Sequence, residues 1–284
     1  MTLALALALS PLLLASAPAS PPPPTEVEVE VAVTSPAPMA DGTDSPAADA
    51  PADAPAAKSP YAALAGVEYV EILTAGADAR APLPMIVAIH GLGDRPERFA
   101  AALRAYPAPA RVILPRAFDA SGDGFSWFPV RARSKDIAGL ASGIESAAGR
   151  LAPFLAALPG ARPTVGKPIV TGFSQGGMLS FALAVHHPHE LAAAFPVGGW
   201  LPPPLWPANR PVDRPLPPIT AFHGDADAVV RVEPTREAVA RLIELGYPAT
   251  LREYPGVAHE LPAALRRDLY EAIAAAAKAQ EPRP

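Results

Sequence analysis

The chain has 284 residues, of which 39 are proline and none is cysteine, and its 23 basic and 28 acidic residues give a formal net charge of −5. The lack of cysteine excludes disulfide bonds, thiolate metal sites and a cysteine nucleophile. The mild acidity argues against a nucleic-acid partner, because such partners need a concentrated basic face.

The first 60 residues differ in composition from the rest of the chain. They hold 12 of the prolines, seven acidic residues, one basic residue and no aromatic residue. Residues 3–14 form an apolar run that is too short to span a membrane, and the small residues that follow predict a signal peptide over residues 1–19. We therefore expect an exported protein without a stable membrane anchor, the alternatives being an apolar leader of no function or a misassigned start.

Residues 20–60 are predicted to be a disordered, acidic linker rich in proline and alanine. Such a composition cannot bury enough apolar surface to offset the entropy lost on ordering. The leader and linker also account for the net negative charge, because the chain after residue 60 has 21 acidic and 22 basic residues. All aromatic residues lie after residue 60, so the folded domain is expected to cover residues 61–284.

From residue 61 onward, apolar strand patterns alternate with helical patterns. Strands are predicted over residues 67–73, 85–89, 111–114, 168–171, 193–197, 219–223 and 250–254. A first helix is predicted to begin at Asp94, whose side chain would form a capping box with Glu97. Ser134 is predicted to cap a long helix that is interrupted or kinked near Pro153. Further helices are predicted over residues 175–187, 233–245 and 261–279.

This alternation of strands and helices predicts the fold class. It indicates an α/β domain with a mostly parallel central sheet and helices on both faces. In such a sheet the chemistry lies in the loops at the carboxyl ends of the strands. Those loops are therefore where functional residues are expected.

One of these loops carries a nucleophile motif. Gly172-Phe173-Ser174-Gln175-Gly176 directly follows an apolar strand and directly precedes a helix. In that context a G-x-S-x-G sequence is typical of a nucleophile elbow, whose small residues allow the sharp turn that exposes the serine. Ser174 is therefore the candidate nucleophile, the alternative being an ordinary cap at a glycine-rich helix start.

Two later loops supply the partners that a serine nucleophile needs. A base must take the hydroxyl proton and a carboxylate must orient the base, in the chain order Ser, Asp, His. His259 is the candidate base and Asp227 the candidate carboxylate. The competing carboxylate, Asp225, follows a glycine and is expected to form a turn with its own backbone.

Two backbone N–H groups are predicted to form an oxyanion hole, which stabilises the charge that develops on a substrate carbonyl oxygen. One is the amide of Gln175, the residue after the candidate nucleophile. The other is the amide of Leu92, in the glycine-rich loop over residues 90–94. His90 is expected to brace this loop and not to act as a base.

These motifs resemble those of the phospholipase/carboxylesterase family of α/β-hydrolases, which includes the acyl-protein thioesterases. The similar segments are residues 90–94, 172–177, 200–202, 223–227 and 257–259. The resemblance covers residue 61 to the C-terminus and implies an α/β-hydrolase fold in a single catalytic domain. The chain departs from the family at Ala228 and Arg231, where proline is usual.

The resemblance implies Ser174, Asp227 and His259 as the catalytic triad, with the Leu92 and Gln175 amides as the oxyanion hole. The expected reaction is hydrolysis of a small-molecule carboxylic ester through an acyl-enzyme, without a metal or organic cofactor. The alternatives are an extracellular polymer or feruloyl-type esterase, a depolymerase, or a serine peptidase with the same triad. A non-catalytic binding protein on the same fold is the remaining alternative.

Three aromatic residues are candidates to line the substrate pocket: Trp127, Phe128 and Trp200. Pockets form in such loops, but buried aromatic residues are as often plain core, and for Trp127 and Phe128 both interpretations stay open.

Two cationic clusters receive a structural interpretation. Three histidines are expected to lie at a helix end, where the dipole favours cations, and not to bind a metal. They are His186, His187 and His189. Three basic residues, Arg131, Arg133 and Lys135, are expected to form a solvated helix start.

Overall fold

The computed structural model describes residues 59–209 and 215–281, and its centre is an eight-stranded sheet. The predicted signal peptide and nearly all of the predicted linker lie outside the described residues. The described residues all belong to one compact unit.

Strands and helices alternate along the chain, as predicted. The strands are β1 (Ala62–Leu64), β2 (Val67–Thr74), β3 (Leu83–Ile89), β4 (Ala110–Pro115), β5 (Asp119–Ser121), β6 (Gly124–Ser126), β7 (Thr164–Phe173), β8 (Ala193–Val197), β9 (Ile219–Gly224) and β10 (Ala249–Tyr254). The short strands β1, β5 and β6 were not predicted, because three residues are too few to show a period.

The order of strands across the sheet is β1-β2-β4-β3-β7-β8-β9-β10. β1 and β2 are antiparallel to their neighbours, whereas the strands from β4 across to β10 run parallel. This confirms the predicted, mostly parallel sheet. β5 and β6 form a separate hairpin. The parallel strands present their carboxyl ends at one edge of the sheet, where open α/β sheets bind ligands.

The helices cover both faces of the sheet, as predicted. They are α1 (Pro96–Phe99), α2 (Ala101–Arg104), α3 (Ile137–Ala161), α4 (Gln175–His186), α5 (Val232–Glu244) and α6 (Ala263–Lys278). Residues of α3, α4 and α5 belong to one hydrophobic core, and residues of α1, α2 and α6 belong to the other. Strands β3 and β4 are buried along almost their whole length because both of their faces are covered. Across the two described ranges, no helix is long and apolar enough to cross a bilayer.

The predicted capping box at Asp94 is wrong. Helix α1 begins at Pro96, its N-cap is Arg95, and no side chain caps it. Asp94 instead forms a β-bridge with Phe125, whose backbone N–H donates to the Asp94 carbonyl at 2.9 Å. Because the Asp94 backbone pairs with the β5–β6 hairpin, Asp94 does not serve as the helix cap.

The start and continuity of α3 also differ from the prediction. The capping residue is Asp136, whose Oδ1 accepts from the Gly139 amide at 2.8 Å. Ser134 lies two residues earlier, and its Oγ accepts from the Asp136 amide at 3.0 Å. The helix then continues without interruption past Pro153 to Ala161. Buried residues on both sides of that proline pack against the sheet, and this packing outweighs the roughly 3 kcal/mol that an interior proline costs.

Candidate active site

The predicted nucleophile lies in a sharp turn between a strand and a helix. β7 ends at Phe173, α4 begins at Gln175, and Ser174 between them is half-buried. Ser174 has φ 58° and ψ −115°, a conformation that side-chain-bearing residues rarely adopt, and its backbone N–H donates to the Val197 carbonyl at 2.9 Å. Such local strain is typical of a nucleophile elbow. The Ser174 side chain makes no cap hydrogen bond, so the interpretation as an ordinary helix cap is wrong.

The elbow depends on a close approach of two backbones. A Cβ atom on Gly176 would collide with the carbonyl group of Ile89 at the end of β3. Because backbone atoms at the centre of a sheet cannot move aside cheaply, only glycine fits this position. The first turn of α4 is thereby held against the strand end that leads into the loop over residues 90–94.

The predicted carboxylate and base are in contact. Asp227 Oδ2 lies 2.6 Å from His259 Nδ1, although the two residues are 32 positions apart. The other oxygen, Oδ1, accepts from the backbone N–H groups of Val229 at 2.9 Å and Val230 at 2.8 Å. The Asp227 side chain is 1% exposed and that of His259 is 15% exposed. Since the Nδ1 proton is donated to the carboxylate, a neutral His259 ring carries its free lone pair on Nε2.

His259 lies against the residue that precedes the nucleophile. Its ring is 4.5 Å from the Phe173 ring, centroid to centroid. Gly198 fills the space beside both rings, with φ 55°, and a Cβ atom there would be 3.2 Å from the Phe173 ring and 3.4 Å from His259 Cε1. The structure therefore brings the Asp227–His259 pair to the nucleophile elbow through Phe173 and the turn after β8.

Asp225 has a different role from the one predicted. Its Oδ1 accepts from the Gly256 backbone N–H at 2.6 Å, so it does not form a turn with its own backbone. Gly256 lies in the loop that carries His259. Of the two competing carboxylates, Asp227 contacts the imidazole and Asp225 ties the two loops together.

A second imidazole contacts the same carboxylate and was missed at the sequence level. His223, at the end of β9, is buried, with Nε2 2.8 Å from the Val230 carbonyl oxygen and 3.4 Å from Asp227 Oδ2. Its Nδ1 lies 3.1 Å from Thr235 Oγ1 on α5. Burial lowers the pKa of His223, although the Val230 carbonyl and Asp227 oppose this shift. His223 thus links the Asp227 loop to α5 as a neutral ring.

The two backbone amides predicted to form the oxyanion hole have no hydrogen-bond acceptor among the described residues. The amides of Gly93 and Asp94 donate to backbone carbonyls, whereas the Leu92 amide has no acceptor among the described residues. The Gln175 amide is in the first turn of α4, where a helix offers no acceptor of its own. Both groups are therefore free to donate to a ligand oxygen.

The Gln175 side chain is part of the support for this site. It is buried, its Oε1 accepts from the Trp127 backbone N–H at 3.1 Å, and its Nε2 donates to the Phe128 carbonyl at 2.9 Å. These two bonds fix the first residue of α4 to the segment that follows the β5–β6 hairpin. The motif pattern offered no signal for this role.

His90 braces the loop over residues 90–94, as predicted. Its Nδ1 lies 2.7 Å from the Gly91 carbonyl oxygen, and its Nε2 accepts from the Ala117 backbone N–H at 3.3 Å. Burial lowers the pKa of this fully buried ring, so it is held neutral. The indole N–H of Trp127 donates to the His90 carbonyl at 2.9 Å.

All three candidate pocket aromatics belong to the larger hydrophobic core, and Trp200 is 7% exposed. Trp127 and Phe128 are each 2% exposed and lie within the larger hydrophobic core, which supports the core interpretation. Trp200 lines a cavity of about 300 Å³ together with Val229 and Val230. A cavity of about 530 Å³ lies at the opposite edge of the sheet, near the start of β3 and the end of α6, and no site residue lines it.

The two cationic clusters have different outcomes. α4 ends at His186, followed by His187 as its C-cap, so the predicted helix end is confirmed. Arg133, predicted to lie in a solvated helix start, precedes α3 and lines the cavity of about 300 Å³. Among the residues that the structure describes, no three potential metal-binding side chains form a cluster.

Comparisons with known proteins agree with this geometry. A sequence profile described as phospholipase/carboxylesterase matches residues 71–276 of the chain. The chain is similar to a probable carboxylesterase of Oryza sativa subsp. japonica, with 33% identity over 93 residues, which are 32% of this chain and 40% of that protein. It is also similar to the carboxylesterase SOBER1 of Arabidopsis thaliana, with 30% identity over 93 residues, 32% of this chain and 41% of that protein. The chain thus spans about two fifths of the length of these curated relatives.

Solved structures show the same fold. Esterase PE8 superposes with a TM-score of 0.64 at 24% identity, covering 74% of this chain and 98% of that one. Acyl-protein thioesterase 2 of Zea mays gives a TM-score of 0.58 at 22% identity, covering 73% of this chain and 98% of that one. At these identities the likeness concerns the fold, and it confirms the predicted α/β-hydrolase fold.

Proposed function

The chain belongs to the phospholipase/carboxylesterase family, and on this premise we propose that it is a serine carboxylesterase with Ser174 as its nucleophile. The observation that carries the proposal is the 2.6 Å contact between Asp227 Oδ2 and His259 Nδ1, made beside the strained Ser174 at the end of β7. A buried carboxylate that orients a partly exposed imidazole is the arrangement that activates a serine hydroxyl.

In the proposed first half-reaction, the Ser174 oxygen attacks the ester carbonyl carbon while His259 Nε2 takes the hydroxyl proton. The carbonyl oxygen becomes an oxyanion and accepts from the Leu92 and Gln175 amides. The intermediate then collapses, the bond to the alcohol oxygen breaks, and His259 gives its proton to that oxygen. The products are an alcohol and an acyl group esterified to Ser174.

In the second half-reaction, water replaces the alcohol. His259 takes a proton from the water as it attacks the acyl carbon, and the same two amides stabilise the second oxyanion. Collapse releases the carboxylic acid and returns the proton to Ser174. Asp227 stays ionised throughout and stabilises the imidazolium that forms in each step.

Replacing Ser174 with alanine tests the proposal. We expect Ser174→Ala to lower kcat for 4-nitrophenyl acetate by roughly 10⁴-fold or more, because the attacking oxygen is lost. A fluorophosphonate, which reacts with activated serines, should label the unmodified protein at Ser174 and leave the variant unlabelled. Release of 4-nitrophenol and the mass of the labelled tryptic peptide are the two measurements.

The matched control is Ser142→Ala on the exposed side of α3. It removes the same hydroxyl and should keep the turnover and labelling of the unmodified protein. If Ser174→Ala were folded and still hydrolysed the acetate at the original rate, Ser174 would not be the nucleophile. A folded, unmodified protein that neither turned over esters nor reacted with the probe would instead support the non-catalytic alternative.

A further inference from the structure

The cavity of about 300 Å³ lies beside the proposed catalytic site. One wall is the segment over residues 229–231, whose Val229 and Val230 amides bind Asp227 Oδ1. Another wall is Trp200. It lies two residues after Gly198, and Gly198 packs against His259. Both walls follow the carboxyl ends of neighbouring strands, β8 and β9. A substrate group in this cavity would therefore be close to the triad.

Two arginines from distant parts of the chain line this cavity. Arg133 comes from the loop before α3, and Arg231 comes from the N-cap position of α5. Both are exposed, and neither has an acidic partner within 4.0 Å among residues 59–209 and 215–281. We name the space that they line the arginine cavity.

The acidic residues nearest in sequence to these arginines have other partners. Asp136 caps α3 by accepting from the Gly139 amide, and Glu233 lies 3.7 Å from Arg236. The basic residues Arg131 and Lys135 flank Arg133 and likewise form no ion pair within the described ranges. Within residues 59–209 and 215–281, therefore, no carboxylate forms an ion pair with the basic side chains of the arginine cavity, whose lining carries net positive charge.

The remaining lining is mainly apolar. Ile137, Trp200 and Val229 contribute large apolar side chains, and Val229 is 48% exposed. Ligand sites typically combine such an apolar lining with a few polar groups that fix the ligand's orientation. A short hydrocarbon segment that ends in an anion matches both features, because guanidinium groups bind carboxylates and phosphates well.

We propose that the arginine cavity binds the anionic end of the acyl group, so that the enzyme prefers esters whose acyl chain carries a negative charge. The inference rests on the proposed carboxylesterase function and names the substrate class. The substrate is the half-ester of a short dicarboxylic acid or an ester whose acyl chain ends in a phosphate. Arg133 and Arg231 would bind either anion in the same way.

The test compares two esters of equal acyl length, 4-nitrophenyl hydrogen glutarate and 4-nitrophenyl valerate. We expect the unmodified enzyme to have a higher kcat/KM for the anionic ester. The double variant Arg133→Gln/Arg231→Gln should lower the glutarate-to-valerate ratio of kcat/KM by about tenfold, with each single variant intermediate. Raising the salt concentration should lower the ratio of the unmodified enzyme, because salt screens exposed charges.

Free glutarate and inorganic phosphate as competitive inhibitors distinguish the two sources of the anion, and whichever binds more tightly should lose that affinity in the double variant. Helix α5 has no side-chain cap at Arg231, so the variants should fold, and thermal melts check this. The matched control is Arg80→Gln, an exposed arginine before β3 at the opposite edge of the sheet. It removes the same charge and should leave the ratio unchanged.

An equal ratio in the double variant and the unmodified enzyme would overturn the inference, as would an equal loss in Arg80→Gln. Its failure is distinguishable from failure of the proposed function. If the enzyme hydrolyses valerate through Ser174 and the ratio does not depend on the arginines, only the inference is wrong. If neither ester is hydrolysed by the folded protein, the proposed function itself is wrong.

Discussion

Two partly buried clusters of ionisable groups in this molecule differ in what their groups can still do. The first, which we call the imidazole cluster, is Asp227 with His259 and His223 at the carboxyl ends of the strands. The second, which we call the guanidinium cluster, is Glu71 on β2 with Arg111 on β4 and Arg162 after α3. Each cluster combines one carboxylate with two histidine or two arginine side chains, and each joins segments that are far apart in the chain.

In the guanidinium cluster both carboxylate oxygens of Glu71 accept from arginines, although the buried Arg111 Nε has no hydrogen-bond partner among the described residues. Glu71 accepts from Arg111, whose side chain is 1% exposed, and from Arg162 at 2.8 Å. Arg111 also donates to the Ala79 carbonyl at 2.7 Å, and Arg162 donates to the Tyr69 hydroxyl at 3.0 Å. Hydrogen bonding to Glu71 raises the pKa of Arg162 further above its ordinary value. Arginine stays protonated at physiological pH, so this cluster can bind but cannot exchange protons.

In the imidazole cluster one nitrogen is left over. His259 uses Nδ1 for Asp227, its ring is partly exposed, and it lies against Phe173 beside the strained Ser174. The difference teaches that buried charge by itself does not mark an active site. What distinguishes the proposed active site is a ring nitrogen with an unused lone pair next to the strained Ser174.

The largest expected effect comes from breaking the imidazole cluster at its carboxylate. Asp227→Asn keeps the shape of the side chain, and its oxygen can still accept from the Val229 and Val230 amides. Its NH₂ group, however, would donate to His259 Nδ1 and force the proton onto Nε2, where the base is needed. We expect kcat to fall by about 10⁴-fold, as for a triad held in the wrong tautomer.

Single-turnover and steady-state rates on 4-nitrophenyl acetate, with the thermal midpoint as a check of folding, measure this effect. Asp225→Asn is the matched control, since that carboxylate contacts Gly256 and not the imidazole. A loss of similar size in both variants would mean that the loops, and not the tautomer, determine the rate.

A smaller effect, on stability and not on turnover, is expected from the guanidinium cluster. Glu71→Gln leaves Arg111 buried without a counter-charge, so the free energy of unfolding should fall by about 2 kcal/mol. This is less than the cost for a fully buried pair, because Glu71 keeps some exposure to solvent. Turnover per folded molecule should not change.

Urea unfolding at neutral pH measures this loss. The matched control is Glu145→Gln on the exposed side of α3, which should change the free energy of unfolding by less than about 0.5 kcal/mol. A variant at Glu71 that lost turnover while keeping its stability would remove the distinction between the two clusters.

The smallest effect is the pH dependence of the free energy of unfolding, to which buried histidines contribute and the arginines of the guanidinium cluster do not. Burial lowers the pKa of His90 and of His223, so each binds a proton more weakly when folded than when unfolded. The unfolded state therefore takes up more protons below about pH 6.5, and the free energy of unfolding falls as the pH falls from 7.5 to 5.5. The slope is at most about 1.4 kcal/mol per pH unit for each histidine. Arginines add nothing in this range.

Urea unfolding at several pH values checks this expectation. His90→Gln should reduce the slope, whereas His189→Gln, which changes an exposed ring after α4, should keep it. A free energy of unfolding that rose toward pH 5.5 would contradict a neutral, buried His90.

The prediction from sequence succeeded where the information is local. The apolar runs of β3, β4 and β8 are themselves the signal of strands covered on both faces, and β8 is predicted with its observed bounds. The sharp turn at Ser174 could be predicted because a glycine-rich turn between a strand and a helix is encoded within a few residues. The contact between Asp227 and His259 could be expected because each residue follows a strand, and parallel strands end at one edge.

Errors arose where a distant segment competes for the same group. Asp94 pairs with Phe125 and so does not cap a helix, and Asp225 binds the Gly256 amide from another loop. His223 has no motif of its own, and its contact with Asp227 depends on how the chain turns after β9. Which partner each of these groups binds is decided only in the packed chain, because the competing groups are far apart in the sequence.

The sequence by itself determined the order of strands and helices, the α/β class, and the residue types of the candidate triad, because periodicity and turn chemistry act over a few neighbouring residues. Only the tertiary structure decided which carboxylate meets His259, that Trp127 and Phe128 lie in the core, and that Arg133 and Arg231 share one cavity. The two arginines are almost a hundred positions apart. Their approach follows from the packing of α3 and α5 on the same face of the sheet, which no local pattern encodes.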